Sequence, residues 1–292
     1  MRVTFILLGV LVSYASIQFS KVPTLFAPPQ AEHVNFAFMG YSNSTHYITP
    51  LKVTLRNDSN LKQTFKIANG QILVPDDKEY QEFVVTQELL VDLLPNQERT
   101  MPVYAMCINA DLMPPDESIN YEMGPEASEE LKRLTSLIEK NGSYNIEAQS
   151  AVWSFFGDRT LEQIAGFDTL LVEELTTMLA ETLNVDLPSE AGSDDYSRNY
   201  YFSESLFKYT IRGSFRYQLF ERSAILIAMF DANNIVVREL YRNNTCTPGH
   251  HNIEYNFDAT HFDDSMYYVR LLENGEIMLE IEIETPEELR QG

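Results

Sequence analysis

The sequence predicts a mainly β chain with a helical appendage: an N-terminal β-sandwich carrying about four helices, then a second β-sandwich. Three observations predict it. Short stretches of alternating apolar and polar residues recur between turn signals in both halves of the chain. A middle block, 127–183, switches to helical spacing. An acidic, proline- and glycine-bearing stretch at 187–203 separates the two β regions. At 292 residues the chain also exceeds one ordinary domain of ~100–200 residues.

The chain opens with Met1-Arg2, an apolar run from Val3 to Val12, and small residues at Ser13 and Ala15. That order reads as a secretory signal within residues 1–20, cleaved near Ala15 or Ser20. The run is short of the ~20 residues that span a bilayer, and no later segment is apolar enough to cross one. Residues 21–30 are proline-rich and read as an extended lead-in.

The first β region with its helices is expected over 31–186. Strands are read at His33–Met39, Leu51–Arg56, Gln71–Val74, Phe83–Val85, Leu89–Leu93 and Thr100–Ile108. Turn signals at Asn57–Asn60, Pro75–Asp77 and Pro95–Asn96 separate several of them. In the helical block, Leu131, Leu134, Leu137 and Ile138 share one face, and Asn141-Gly142 ends that helix. A second helix runs from about Asn145 to Phe156 and stops at Gly157. Thr160-Leu-Glu-Gln163 is a capping box for a short third. Asp168 caps a fourth, with Leu171, Leu175 and Leu179 along it. Trp153, the single tryptophan, is expected to be buried.

The second β region is expected over 204–284, with a tail at 285–292. Strands are read at Phe215–Phe220 and His250–Phe257, which alternate, at Ser223–Phe230, an apolar run of the buried type, at its return strand Ile235–Tyr241, and at Met266–Leu272 and Ile277–Ile283, a terminal hairpin. Asp231–Asn234 and Asn274-Gly275 are hairpin turns. The linker predicts two fragments that fold separately and are released by limited proteolysis.

Composition narrows the function classes. Forty-three acidic and 21 basic residues give a net charge of −22. Such a surface repels phosphate backbones and anionic lipids, so nucleic acid and membrane surfaces are disfavoured as partners. An extracellular protein or glycan fits better. Cys107 and Cys246 fall in different β regions, and two unpaired thiols are expected; so few cysteines cannot form a disulfide framework.

Candidate chemistry is sparse. No Walker loop, Gly-x-Ser-x-Gly elbow, zinc-protease helix or calcium loop is present. His250-His251 are neighbours on a strand and point to opposite faces. His33, His46 and His261 lack ligand-spaced partners, and Asp76-Asp77, Asp194-Asp195 and Asp263-Asp264 lie in turns. No metal or cofactor is expected.

Two resemblances add to this reading. The strand order "FRYQL", "ILIAMFDANNIVVREL", "TPGHHNIEYNFDATHFDDSMYYVRLLENG" resembles the immunoglobulin-like module of type IX secretion C-terminal domains and of the flagellar hook-capping protein. It covers about a third of the chain and implies export and an immunoglobulin-like second sandwich. Sorting members end in a basic residue and aliphatics, whereas this chain ends Thr285-Pro-Glu-Glu-Leu-Arg-Gln-Gly292. Separately, Gln149-Ser-Ala-Val-Trp153 resembles a stretch of bacterial thioester adhesin domains. There a glutamine side chain bonds to an upstream cysteine, which here would be Cys107. Ala148 stands where the family has threonine, and Tyr104 lies three residues before the cysteine. Read from the residues alone, the stretch is first a helix packing around a buried thiol, with the thioester as the alternative. The combined expectation is a secreted or cell-surface, non-enzymatic binding or structural protein of a bacterial envelope, adhesive in character. The alternatives are a Cys107–Gln149 thioester adhesin and a secreted hydrolase.

Overall fold

A computed structural model of the protein describes residues 33–188, 210–258 and 265–285. The expected signal, the lead-in, nearly all of the linker and the tail beyond Thr285 lie outside the described residues. So do Asp194, Asp195, His261, Asp263 and Asp264.

Among the described residues the protein is mainly β. Seven strands form one antiparallel sheet: β1 (Val34–Gly40), β2 (Leu51–Asn57), β4 (Gln71–Pro75), β5 (Phe83–Val85), β7 (Glu98–Val103), β8 (Ala105–Cys107) and β9 (Asn120–Glu126). Their order is β7-β2-β1-β9-β4-β5-β8. β3 (Gln63–Ile67) and β6 (Leu89–Leu93) pair separately.

The single strand expected over 100–108 is two strands, and they occupy opposite edges of the sheet. Laid flat, six strand spacings would hold those edges roughly 29 Å apart. Yet only Tyr104 lies between Val103 and Ala105, and one residue advances the chain by ~3.8 Å. The sheet therefore rolls until its edges meet at this corner. There the Ala105 N–H donates to the Ile48 carbonyl at 3.3 Å, and the Tyr104 carbonyl accepts from Thr86 N–H at 3.0 Å.

The helical block forms α1 (Glu129–Asn141), α2 (Ile146–Phe156) and α3 (Thr169–Leu183). The helix expected at Thr160 is a 3₁₀ turn, Leu161–Gln163, although its capping box forms. Three residues give too few intrahelical bonds to continue as an α-helix. Gly142 (φ 61) and Gly157 (φ 87) end α1 and α2 in the left-handed region, which a side chain disfavours.

Six further strands follow: β10 (Thr210–Leu219), β11 (Ser223–Phe230), β12 (Val236–Cys246), β13 (Gly249–Asp258), β14 (Met266–Glu273) and β15 (Glu276–Glu284). β10 pairs with β13, and the rest form a sheet in the order β12-β11-β14-β15. β11 is apolar throughout because both its faces are buried. Ile225, Ile227 and Met229 join Phe215, Tyr255 and Val269 in one cluster. Leu226, Ala228 and Phe230 join Val84, Met106, Leu134, Val152 and Leu175 in another. The regions on either side of the expected linker thus share one core cluster, with the helices between their sheets.

Candidate functional site

α2 carries the residues of interest. Asn145 caps it by accepting from Ala148 N–H at 3.0 Å, and nine consecutive residues, Ile146 to Ser154, are buried. A helix buried on all sides has a sheet or helix on each face. Gln149 and Trp153 are four apart, so they lie one above the other on one side of α2, the side towards β8.

The structure brings Cys107 and Gln149 together. The Cys107 N–H donates to Gln149 Oε1 at 3.1 Å, and Gln149 Nε2 donates to the Cys107 carbonyl at 2.8 Å. Cys107 faces Phe83 of β5 across the ladder, and its own N–H and C=O point away from β5 to the open edge. The carboxamide meets that edge as the peptide group of another strand would. Both residues are fully buried.

The Cys107 thiol points into the cluster that holds Phe83, Tyr121 and Trp153. Burial pushes its pKa well above the ordinary thiol range, while the adjacent Trp153 indole pulls it back slightly. Trp153 is 2% exposed, as expected. Its ring stacks on His46 at 5.4 Å and 14°, and the Arg159 guanidinium lies 5.5 Å from its centroid. His46 Nδ1 accepts from Val236 N–H at 3.3 Å, so the neutral ring carries its proton on Nε2. Burial holds His46 neutral, with its pKa lowered to about 3. Among the described residues, neither Trp153 Nε1 nor His46 Nε2 makes a hydrogen bond. A cleft of about 430 Å³ lies beside Trp153, lined also by Asp111, Arg159, Asp231 and Val236.

A second buried cluster joins the two β regions. Tyr47 donates to Glu239 Oε1 at 2.5 Å, and Ile146 N–H donates to the same oxygen at 3.2 Å. Arg242 bonds Glu239 and also reaches Glu147 Oε2 at 3.2 Å. Glu147 Oε1 accepts from Asp168 N–H at 3.2 Å. Both carboxylates are buried. Gly166 lies so near that a Cβ there would sit 2.1 Å from Glu147 Cδ. None of these residues stood out in the sequence. Glu147, in the first turn of α2, reads as an ordinary dipole-favouring acid.

The other candidates separate. Cys246 is free and buried. Its Sγ lies 3.8 Å from both ring nitrogens of His251. An equidistant sulfur is in line with neither lone pair, so this is packing rather than a thiol–imidazole hydrogen bond. His251 stacks on Tyr217, and its Nε2 contacts the Thr247 carbonyl at 2.7 Å; His250 is exposed on the strand's other face. Among the described residues no three His, Cys, Asp or Glu side chains are placed to hold a metal ion. No helix among them is long and apolar enough to cross a membrane.

No family model, curated protein or solved structure matches the chain.

Proposed function

We propose that the protein is an exported, adhesive surface module of a bacterial envelope, and that Cys107 and Gln149 close an internal thioester. The N-terminal sheets are read as a sandwich and the C-terminal sheets as an immunoglobulin-like stalk. One observation carries the thioester: the Gln149 carboxamide bridges the N–H and C=O of the cysteine to which its sequence motif would pair it.

The arrangement suits the chemistry. The Cys107 N–H already donates to Oε1, where negative charge would develop on attack. Cys107 Sγ attacks Gln149 Cδ, the S–C bond forms, and the C–N bond breaks. The thiol proton leaves with Nε2 as ammonia. A target amine would reverse the balance by taking the acyl group as an amide and restoring the thiol.

A second reading is favoured by the same pair of hydrogen bonds. In it the carboxamide stays intact and Gln149 is a non-covalent strap closing the β8 edge, with the buried thiol inert. A thiol count separates the two. Protein denatured rapidly at mildly acidic pH in excess maleimide is expected to be alkylated at Cys246 alone. Alkylation at both cysteines would overturn the thioester and leave the strap.

A further inference from the structure

A cleft of about 280 Å³ lies where the two β regions meet. It is lined by Tyr104, Tyr144, Asn145, Arg242, Asn244 and Asn274, with Ile48 and Leu226 among its apolar walls. This volume is near the lower end of ligand pockets, ~300–1,000 Å³.

Its lining is rich in uncommitted hydrogen-bonding groups. Tyr104 and Tyr144 pack ring on ring at 4.6 Å and 45°, and neither phenol oxygen has a partner among the described residues. Burial, with Glu139 and Tyr104 nearby, pushes the Tyr144 pKa up to about 12, so its hydroxyl remains a donor at neutral pH. Asn145 is 6% exposed. Its Oδ1 is used in capping α2, and its amide N–H groups are uncommitted among the described residues. The Asn244 side chain is likewise uncommitted. Arg242 commits only one nitrogen, Nη2, to Glu147 and Glu239. Asn274 likewise has its Oδ1 committed, accepting from Ala224 N–H at 2.9 Å.

Charge then selects the ligand. Two buried carboxylates flank the single guanidinium, so the cleft offers no net positive charge to an anion. The chain's charge of −22 repels anions further. What fits is a small neutral molecule with many hydroxyls and an apolar C–H face for a tyrosine ring. We propose that this cleft binds one neutral sugar ring of a glycan, with Tyr144 as its platform and Asn145 and Asn244 as its hydrogen-bonding arms. The proposal rests on reading the chain as a binding module and not on the thioester.

The test is saturation-transfer NMR and calorimetry on the full mature chain. The probes are methyl glycosides of glucose, galactose, mannose and N-acetylglucosamine, with glucuronic acid as the anionic control. At least one neutral glycoside is expected to bind at millimolar concentration, and glucuronic acid is not. Asn244→Ala, at an exposed position, and Tyr144→Phe should keep the melting temperature, showing that the fold is intact. Asn244→Ala and Tyr144→Ala should each weaken binding about tenfold or more. No binding by any neutral glycoside, preferential binding of glucuronic acid, or affinity unchanged in both weakening variants would each overturn the proposal. Sugar binding is independent of how many thiols react, so its failure is distinguishable from that of the thioester.

Discussion

Two edge strands of this molecule face the same physical problem and solve it differently. β8 ends the seven-stranded sheet and β15 ends the four-stranded one. Each exposes a row of backbone groups that could recruit a foreign strand. At β8 the row is closed from within: the Ile48 carbonyl takes the Ala105 N–H, and Gln149 takes both groups of Cys107. At β15 the row is guarded by charge, with Glu276, Glu280, Glu282 and Glu284 along an exposed strand that also shows Met278, Leu279 and Ile281. A buried closure must satisfy every polar group, so it is costly to disturb and can hold chemistry in one geometry. A charged guard acts only against other molecules, so stability is nearly indifferent to it.

The largest break in this contrast should come from Trp153→Ala, which empties the space between the closed edge and His46. A cavity of that kind costs about 3–5 kcal/mol. Urea unfolding should lower one shared transition, because Phe230 and Val236 share a cluster with Val152 and Leu175. A C-terminal region that melts unchanged would instead support separate folding, as the linker alone suggests.

In the Cys107→Ala background, where the carboxamide stays intact, Gln149→Leu should cost about 2–4 kcal/mol, since it strands the buried backbone N–H and C=O at position 107. A loss below about 0.5 kcal/mol in the same unfolding experiment would show that water or backbone movement closes the edge without it.

The pH dependence is smaller per unit and has a definite sign. His46 has a folded pKa of about 3 against ~6.5 when unfolded. Between those values the unfolded state binds the proton and the folded state does not. The stability His46 permits is therefore full above pH ~6.5 and falls by ~1.4 kcal/mol for each unit down towards pH ~3. Denaturant midpoints of His46→Gln should lack that slope; parallel slopes in variant and parent would refute the assignment.

The smallest effect is expected at the guarded edge. Glu282→Thr with Glu284→Thr should change stability by no more than about 0.5 kcal/mol while raising self-association in light scattering. A large stability loss would mean that β15 is not the exposed edge it is described as.

The parts of this account that were legible in the sequence are local. The Asn274-Gly275 hairpin, with φ of 51° and 87°, follows from the dipeptide. The six C-terminal strands follow from local patterns, alternation at some and an unbroken apolar run at Ser223–Phe230, and the caps at Gly142 and Gly157 follow from single residues. The Cys107–Gln149 contact was legible only because a short motif named the partner. β9 escaped notice because Gly124 and Pro125 interrupt its alternation. Gly124 is there for close approach, since a Cβ would meet Val74 Cγ2 at 2.7 Å. The roll that puts β7 and β8 on opposite edges is a property of the whole sheet and leaves no mark at Tyr104. The Tyr47–Glu239 bond joins residues 192 positions apart, and no periodicity connects them. Only folding shows that Glu147, Glu239 and Arg242 need one another.

The central claim is that Gln149 meets Cys107 closely enough to be joined to it, and the intact mass of the native, unreduced protein tests that most directly. The account predicts that the mature chain is lighter than its sequence mass by one ammonia, while Cys107→Ala and Gln149→Ala variants show their full masses. A mature wild-type chain at full sequence mass, with both variants also at theirs, would contradict it.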